Sequence, residues 1–357
     1  MKYFNSEKIK KYKWALKAIS FVLNLFQKNR QSKVKRIDKI LIIDFHLIGD
    51  VVMLTPFILG LRKKYPKAEI CLLAGKWAPI VLKGFENEID KIYEVNVPWV
   101  KKNSYSEIFS LSKIIATLKK KNFDLGFDMR GDFRNSFILK ILGVKKRVGY
   151  DLMLNGDFLT DVVPLNDNLV HLTDYHFNMG KFCGIFLEAD IYKPTLKNAW
   201  LEKVNNLVGI HLGASLPLKQ FPESYLENLL TDLNTENSSN TSFRIFEFPE
   251  IPDLAKQILE LCHLKGMNAH IFSGNLKEFF NGLSQCEKLY CLDSGPGHIA
   301  AAMGLEVKSY FGPTDPKFCA PIGNVSIMQK LDKPICWPCE ALTCNNLIFK
   351  ECFNLYE

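Results

Sequence analysis

The sequence lacks most of the short motifs that identify common enzyme classes. Its 357 residues contain no GxxxxGK[ST] loop, no HExxH element and no GxSxG element, which argues against a P-loop NTPase, a zinc protease and an α/β-hydrolase. No Asp-x-Asp pair stands at the end of a predicted strand either. We therefore do not expect a sugar transferase that holds a divalent metal between two such carboxylates.

Long hydrophobic runs are also missing. The apolar stretch from Trp14 to Phe26 is interrupted by Lys17 and falls short of the roughly 20 residues that a membrane-spanning helix needs. No segment shows an export signal with its cleavage site. The sequence thus predicts a cytoplasmic protein whose ten cysteines are mostly reduced.

Acidic residues are scarce in the first 40 residues, where only Glu7 and Asp38 accompany twelve lysines and arginines. The remaining chain holds 34 basic and 36 acidic residues, so the N-terminal segment carries the whole positive excess. Apolar residues recur there at steps of three and four, which predicts a basic amphipathic helix within residues 1–37. That helix could lie on an anionic membrane surface or pack against its own domain. No basic patch with interleaved aromatics occurs elsewhere, so nucleic acid is not an expected partner.

Strand and helix patterns alternate along the chain in two series. Apolar runs begin at residues 39 and 69 with a helical pattern between them, which predicts a βαβ unit and a parallel sheet. After a polar stretch, the series restarts at residue 207. The chain length suits two α/β domains, which we place at residues 38–195 and 206–357 with a hinge near residue 200. Ligands bind at the carboxyl ends of parallel strands, so loops 45–50, 213–222 and 293–298 are expected to converge on one cleft between the domains.

The six residues Asp-Ser-Gly-Pro-Gly-His at 293–298 lie between a predicted strand and a predicted helix. A glycine-rich turn at a helix N-terminus is a natural phosphate site, because free N–H groups and the positive helix end point to the same place. Gly295 and Gly297 would let a ligand approach the backbone closely. The alternative is that the aspartate or serine only caps the helix and that the histidine lies on the surface.

Two further residues lie in loops that face the predicted cleft. Asp50 follows the first strand, where a carboxylate could accept a proton as a general base. It could instead cap the next helix, unless Pro56 marks the true helix start with Thr55 as its cap. Lys219 could neutralise a diphosphate leaving group, whereas most loop lysines are simply solvated.

Arg130 and Arg134 follow the strand predicted at residues 125–129. Either could hold an anionic acceptor by bidentate hydrogen bonds. Either could equally pair with Asp128 or Asp132, and the sequence leaves both possibilities open.

Four cysteines near the C-terminus have the spacing C-x2-C-x4-C-x7-C. This spacing is close enough for one tetrahedral thiolate site. A structural zinc ion is the simplest ligand, an iron–sulfur cluster is conceivable, and four unligated thiols are the alternative. The cysteines are Cys336, Cys339, Cys344 and Cys352.

Five motifs in one order resemble the family 9 glycosyltransferases, the lipopolysaccharide heptosyltransferase family, over about residues 38–340. The resemblance implies a GT-B fold, with two Rossmann-like doubly wound domains facing across a cleft. It also implies metal-independent, inverting sugar transfer from a nucleotide diphosphate donor, with no catalytic cofactor. The motifs are Ile-Gly-Asp at 48–50 with Thr55-Pro56, Asp-x-Arg-Gly at 128–131, Lys-x-Phe-Pro at 219–222, the hexapeptide at 293–298, and Phe-Gly-Pro-Thr-Asp-Pro at 311–316.

Matching positions imply roles for individual residues. The resemblance makes Asp50 the base that deprotonates the acceptor, and it places Lys219 and Ser215 beside the diphosphate and sugar of the donor. Asp293 would bind the sugar hydroxyls. The residues implied to bind the diphosphate through the helix N-terminus are Ser294, Gly295 and His298.

Together these observations predict a glycosyltransferase that builds the lipopolysaccharide core or a related surface glycan at the inner face of the membrane. ADP-heptose is the favoured donor, and a lipid-linked glycan is the expected acceptor, which would explain the basic N-terminal helix. Two alternatives remain: a GT-B-like epimerase or hydrolase of nucleotide sugars, and a non-catalytic protein that binds nucleotide sugars.

Overall fold

The chain divides into two compact units, Met1–Tyr192 and Lys193–Glu357. The computed structural model describes residues 36–97, 105–166, 168–185, 193–197, 202–339, 343–346 and 348–354. The basic amphipathic helix predicted in residues 1–37 lies outside the described residues, apart from its last two positions.

The first unit is built on a six-stranded parallel sheet with the strand order β3-β2-β1-β4-β5-β6. In β1 and β2 every residue after the first is buried. Strands covered on both faces need continuous apolar runs rather than alternation, which is the pattern that predicted them. The strands are β1 Lys39–Asp44, β2 Glu69–Ala74, β3 Lys91–Glu94, β4 Leu125–Asp128, β5 Lys146–Gly149 and β6 Asp161–Val162.

Five helices accompany this sheet in the described part of the first unit. They are α1 Ile48–Lys64, α2 Ala78–Val81, α3 Tyr105–Lys119, α4 Phe133–Ile141 and α5 Leu172–Phe182, with a 3₁₀ turn at Gly156–Phe158. Across all the described residues, no helix combines the length and the apolar character needed to cross a membrane.

Helix α1 runs straight through Pro56, so the alternative that this proline marks the helix start is wrong. Proline has no N–H to donate to the carbonyl four residues earlier, which here belongs to Val52. The hydroxyl of Thr55 donates to that same carbonyl oxygen at 2.8 Å. The threonine thereby supplies the hydrogen bond that its neighbour cannot make.

The second unit contains another six-stranded parallel sheet, with the order β12-β11-β10-β7-β8-β9. Its strands are β7 Leu207–His211, β8 Ser242–Phe246, β9 Asn268–Phe272, β10 Lys288–Leu292, β11 Glu306–Phe311 and β12 Val325–Gln329. Its described helices are α6 Glu223–Glu236, α7 Leu254–Leu264, α8 Leu276–Ser284, α9 Gly295–Ala302 and α10 Pro316–Cys319, with 3₁₀ turns at Pro217–Lys219 and Glu351–Phe353.

Read from its other edge, the second sheet has the same order as the first, and both are doubly wound Rossmann-like sheets. In each sheet, successive strands are added first towards one edge and then towards the other. This reversal falls between β1 and β4 in the first unit and between β7 and β10 in the second. Ligands of such sheets bind beside the carboxyl ends of the strands at this reversal. The turns that follow these four strands carry most of the predicted site residues.

Candidate active site

Asp50 lies in the first turn of α1, directly after β1. Its Oδ2 accepts the N–H of Leu47 at 3.0 Å, and Leu47 rather than Asp50 occupies the N-cap position. Asp50 is therefore not the N-cap residue, but as the third residue of a capping box its carboxylate does cap the start of α1. The bond to the backbone fixes the carboxylate at the N-terminal end of α1, where the helix dipole favours negative charge.

Arg130 comes from the turn after β4 and reaches Asp50. Its Nη1 donates to Asp50 Oδ1 at 3.0 Å, and the side chains of the two residues are only 16% and 13% exposed. The guanidinium stabilises the charge of the carboxylate and orients it, as charge-assisted hydrogen bonds do. The sequence predicted other partners for this arginine, because nothing local connects residues 80 positions apart.

The turn that carries Arg130 is organised by Asp128. Its Oδ1 accepts the N–H groups of Arg130 and Gly131, both at 3.1 Å, and its Oδ2 accepts the hydroxyl of Ser136 at 2.6 Å. Gly131 has a φ of 67°, a left-handed conformation that favours glycine. The Asp-x-Arg-Gly motif thus describes a turn that aims one arginine at Asp50.

Arg134 has a different partner. Its Nε donates to Asp132 Oδ1 at 2.8 Å, and its Nη2 pairs with the other oxygen of the same carboxylate. Asp132 also accepts the N–H of Arg134 and so caps α4. Of the two possibilities left open for Arg134, the structure shows the ion pair with Asp132, and its contact with an acceptor stays a prediction.

Two titratable groups near this ion pair, the buried Asp44 and the partly buried His46, were not singled out from the sequence. Burial raises the pKa of the Asp44 carboxyl above its usual range, and the nearby charge of Asp50 raises it further. Burial, together with the positive charge of Arg130, lowers the pKa of His46 to about 4. The signal available in the sequence was position alone, since Asp44 is the last residue of β1 and His46 lies in the turn that follows it.

A cavity of about 290 Å³ lies between α1 and α5 in the first unit. His176 is buried beside it, with Nδ1 3.3 Å from the Met53 carbonyl oxygen and with no hydrogen-bond partner for Nε2 among the described residues. Burial lowers the pKa of His176 to about 4, so the ring is neutral near neutral pH. The walls combine apolar and polar side chains, including Met53, Phe57, Thr173, His176, Asn178 and Lys181.

In the second unit, Lys219 and Asp293 form a nearly buried ion pair. Lys219 Nζ lies 2.6 Å from Asp293 Oδ2, and the side chains are 21% and 7% exposed. Thr314 donates its hydroxyl to the same oxygen at 2.5 Å. The alternative of a merely solvated Lys219 is wrong. An ammonium has three donors, so Lys219 can hold Asp293 and still bind an anion.

The N-terminus of α9 is directly adjacent to this ion pair. Ser294 is its N-cap residue, but its hydroxyl donates to the Leu292 carbonyl at 3.2 Å and makes no capping hydrogen bond to the helix. Both capping alternatives for the hexapeptide are thus wrong, and so is a surface position for His298, which is 7% exposed. Pro296 has no N–H and the Gly297 N–H donates to the Ser294 carbonyl at 3.1 Å, so the Gly295 N–H and the positive helix end are the features that favour an anion here.

The remaining predicted donor residues differ in their surroundings. Ser215 is exposed in the loop after β7. A Cβ on Gly297 would lie 3.0 Å from Cys291 Sγ and 3.1 Å from Pro321 Cγ, so packing inside the unit already requires glycine there. The contacts of Ser215, Gly295 and Gly297 with a donor stay predictions.

The family follows from a comparison with known proteins. A sequence profile described as glycosyltransferase family 9 (heptosyltransferase) matches residues 111–347. The chain belongs to glycosyltransferase family 9. The predicted enzyme class, a glycosyltransferase, is thereby confirmed.

Relatives of this transferase agree with the assignment. It is 22% identical over 313 residues to lipopolysaccharide heptosyltransferase 2 of Escherichia coli, covering 82% of this chain and 88% of that protein. Among solved structures, it resembles E. coli ADP-heptose lipopolysaccharide heptosyltransferase II with a TM-score of 0.64 at 19% identity, covering 82% and 91% of the two chains. It resembles E. coli heptosyltransferase WaaC with ADP with a TM-score of 0.67 at 16% identity, covering 81% and 92%. These likenesses confirm the predicted GT-B fold.

The four predicted metal ligands of the transferase line one small cavity of about 20 Å³ in the second unit. Burial raises the pKa of the Cys352 thiol to about 12, and the thiols of Cys344, Cys336 and Cys339 raise it as well. Within the described residues, no group of three or more histidine, cysteine, aspartate or glutamate side chains is arranged to hold a metal ion. The cysteines are therefore gathered around one point, but their sulfur atoms are not in ligating positions.

Proposed function

We propose that this family 9 transferase moves a sugar from a nucleotide diphosphate donor to a glycan acceptor, with inversion at the anomeric carbon. The observation that carries the proposal is the set of charged groups at the reversal point of each sheet. One presents a fixed carboxylate, Asp50, held by Arg130. The other presents Lys219, Asp293 and the uncapped N-terminus of α9.

Asp50 acts as the general base in this mechanism. It takes the proton from the acceptor hydroxyl, whose oxygen then forms the new bond to the anomeric carbon. The bond from that carbon to the diphosphate oxygen breaks at the same time, and the nucleotide diphosphate leaves with the electron pair. Attack from the side opposite the leaving group inverts the configuration.

Lys219 and the N-terminus of α9 stabilise the negative charge that develops on the diphosphate. Preformed positive groups at such a position are effective because they need no reorganisation during the reaction. They provide in this mechanism the charge that a divalent ion provides in metal-dependent transferases. Asp293 orients Lys219 and, with its remaining acceptor capacity, binds hydroxyls of the donor sugar.

We propose ADP-heptose as the donor and a lipopolysaccharide core as the acceptor. The support is the activity of the relatives, which are lipopolysaccharide and lipooligosaccharide heptosyltransferases. The cavity beside His176, with its apolar floor and amide and hydroxyl groups, is suited to part of a glycan acceptor.

A donor screen tests the proposal. The full chain is heated with a panel of ADP-, UDP-, GDP- and CMP-sugars, because a ligand that binds only the folded state raises the melting temperature. We expect a shift with ADP-heptose, and product formation on a lipid-linked core oligosaccharide without added divalent metal. A shift with another donor and none with ADP-heptose would overturn the heptosyl assignment. Nucleotide release without acceptor would favour an epimerase or hydrolase instead.

We propose further that the transferase works in the cytoplasm at the inner membrane surface, held there by the basic N-terminal segment. Its support is that residues 1–40 hold twelve lysines and arginines and with them the whole positive excess of the chain. Vesicles with and without anionic lipid provide the test. Full-length protein should sediment with anionic vesicles and a chain lacking residues 1–30 should not, whereas equal partition of both would rule out this attachment.

A further inference from the structure

The chain after β12 forms a C-terminal tail, residues 330–354, that contacts both turns of the proposed donor site. Lys350 Nζ donates to the carbonyl oxygens of Pro217 and Gln220 at 2.8 and 2.7 Å, one on each side of Lys219. The Cys339 N–H donates to the Pro313 carbonyl at 2.8 Å, directly before Thr314. The tail therefore holds the backbone on both sides of Lys219 and directly before Thr314, the two residues that bind Asp293.

Phe353 anchors the end of the tail in the core of the second unit. It is 1% exposed, and its ring meets that of Phe221 edge to face with centroids 5.2 Å apart. A Cβ on Gly312 would lie 2.3 Å from the Phe353 ring, so only glycine fits beneath it. Phe221 belongs to the Lys-x-Phe-Pro motif and Gly312 to the Phe-Gly-Pro-Thr-Asp-Pro motif. Phe353 therefore packs against both motifs of the proposed donor site.

Hydrophobic burial does not explain why the rest of the tail adopts one defined conformation. Apart from one 3₁₀ turn, Glu351–Phe353, its described residues form no helix or strand. Four of its large apolar side chains point to solvent: Leu331, Ile335, Ile348 and Phe349 are 91%, 106%, 52% and 63% exposed. A segment with so little core of its own usually needs a cross-link or a metal to stay ordered.

The cysteine side chains provide such a link. Cys336, Cys339, Cys344 and Cys352 all line the same cavity, and the Lys350 N–H donates to Cys344 Sγ at 3.3 Å. Hydrogen bonds onto sulfur are a recurrent feature of thiolates that ligate metals. A cavity of about 20 Å³ is near the volume that one water molecule needs, which suits a single ion and not a multi-atom iron–sulfur cluster.

We propose that these four cysteines bind one thiophilic metal ion, zinc or iron, and that this ion locks the tail against the donor site. Their side chains already line one cavity, and in this proposal binding of the ion draws the four sulfur atoms in to the metal–sulfur distance of about 2.3 Å. A divalent ion with four thiolates carries a net charge of −2. Lys333 and Lys350 are close enough to Cys352 to interact with it electrostatically, and their positive charges would balance the site.

The consequence for donor binding rests on the proposed function. Without the metal the tail loosens, and the turns that carry Lys219 and Thr314 lose their support. No cysteine of the four needs to touch the donor for this effect. They are positioning residues, and their loss should weaken nucleotide binding while leaving the first unit unchanged.

Metal analysis of the full-length protein tests the site directly. The chain is purified under reducing conditions without chelator after growth with added zinc and iron, and both metals are measured by mass spectrometry. We expect one equivalent of zinc or iron in the wild type and in Cys183→Ser, whose thiol lies in the first unit. Cys339→Ser and Cys344→Ser should lose the metal, whereas Cys344→His, which keeps a ligand, should retain it.

The second measurement separates this inference from the proposed function. ADP binding is followed by calorimetry, and we expect a loss of affinity of about tenfold or more in Cys344→Ser with rescue in Cys344→His, as for other metal-site disruptions. A metal-free wild type, or disulfides between these cysteines, would overturn the metal site even if ADP binds. Full metal content without any nucleotide binding would instead contradict the proposed function alone.

Discussion

Arg130 Nη1 lies 3.0 Å from Asp50 Oδ1, and this contact joins the turns after β1 and β4 across the reversal point of the first sheet. The two strands are hydrogen-bonded neighbours in that sheet. Their adjacency places an arginine beside a carboxylate 80 residues away in sequence. The carboxylate is held from the other side by the backbone of α1, so it has one defined orientation.

Substitution of Asp50 by asparagine should abolish transfer without abolishing donor binding. Asparagine keeps an acceptor for the Leu47 N–H but cannot take a proton, so kcat should fall by about 10²–10⁴-fold. Calorimetry should show unchanged ADP affinity. Glu278→Gln is the matched control, since Glu278 accepts the N–H at the start of α8 in the same way, at 2.7 Å. Normal turnover in Asp50→Asn would exclude Asp50 as the base.

Arg130 and Arg134 should affect different kinetic constants. Arg130→Met leaves Asp50 without its orienting partner, so we expect kcat to fall about tenfold or more with little change in acceptor KM. Arg130→Lys keeps the charge and should recover part of the rate. Arg134→Met should mainly raise acceptor KM, because the predicted role of this arginine, which Asp132 holds in place, is to bind the acceptor. Equal effects of both substitutions on KM alone would contradict a positioning role for Arg130.

Lys219→Met should weaken binding of the diphosphate. Loss of a charged hydrogen bond costs about 1.5–3 kcal/mol, and the substitution also leaves the nearly buried Asp293 without its cation. ADP affinity should therefore drop by at least tenfold in calorimetry at fixed salt. Lys256→Met removes the same charge from a site where the lysine side chain is 72% exposed and should bind ADP normally. Equal ADP affinities for the two variants would place the diphosphate elsewhere.

Thr55 and Pro56 should be energetically coupled. Thr55→Val removes the hydroxyl from the Val52 carbonyl and should destabilise the first unit by about 1–3 kcal/mol, the usual cost of an unsatisfied buried group. In a Pro56→Ala background the new N–H can donate to that carbonyl, so the same substitution should cost less. Thr117→Val, at an exposed hydroxyl that donates to Lys113, serves as the control. Chemical denaturation gives the free energy of unfolding of the wild type, both single variants and the double variant. Additive losses of stability would contradict the coupling.

Acid should destabilise the protein through its buried histidines. Burial lowers the pKa of His211 to about 4, whereas an unfolded histidine titrates near 6.5. Between these values the unfolded chain binds a proton that the folded chain does not, so stability falls as pH decreases, by at most about 1.4 kcal/mol per pH unit for each histidine.

His211→Leu isolates this effect. His211 packs against Phe248 and Phe279, so leucine suits its surroundings. The variant should lose less stability than the wild type between pH 7 and pH 5, whatever its stability at pH 7. Thermal unfolding at both values gives the comparison, and parallel pH dependences would show that His211 binds its proton as readily in the folded state as in the unfolded chain.

Local sequence patterns predicted much of the fold and part of the site. Apolar runs marked the strands, and the restart at residue 207 marked the second series, because strands buried on both faces must be continuously apolar. The hexapeptide at 293–298 was predictable as a strand–turn–helix element from its glycines and proline. These features depend only on neighbours in the chain.

Pairings between distant residues were not predictable in the same way. The sequence left Arg130 with either an anionic acceptor or one of two local aspartates as its partner, and it left Lys219 as either solvated or functional. Strand order decided both cases, since β1 lies beside β4 and β7 beside β10, which brings Arg130 to Asp50 and Lys219 to Asp293. Single-sequence patterns carry no record of which strands are neighbours.

The sequence by itself determined the two α/β series, the family motifs, the cysteine spacing and the confinement of positive charge to the N-terminal segment. Only the tertiary structure decided which carboxylate each cation meets, that α1 continues through Pro56, and that the tail supports the donor-side turns. The physical reason is the range of the interactions. Backbone preferences and hydrophobic periodicity act within a few residues, whereas ion pairs and packed rings depend on which segments the folded sheets bring together.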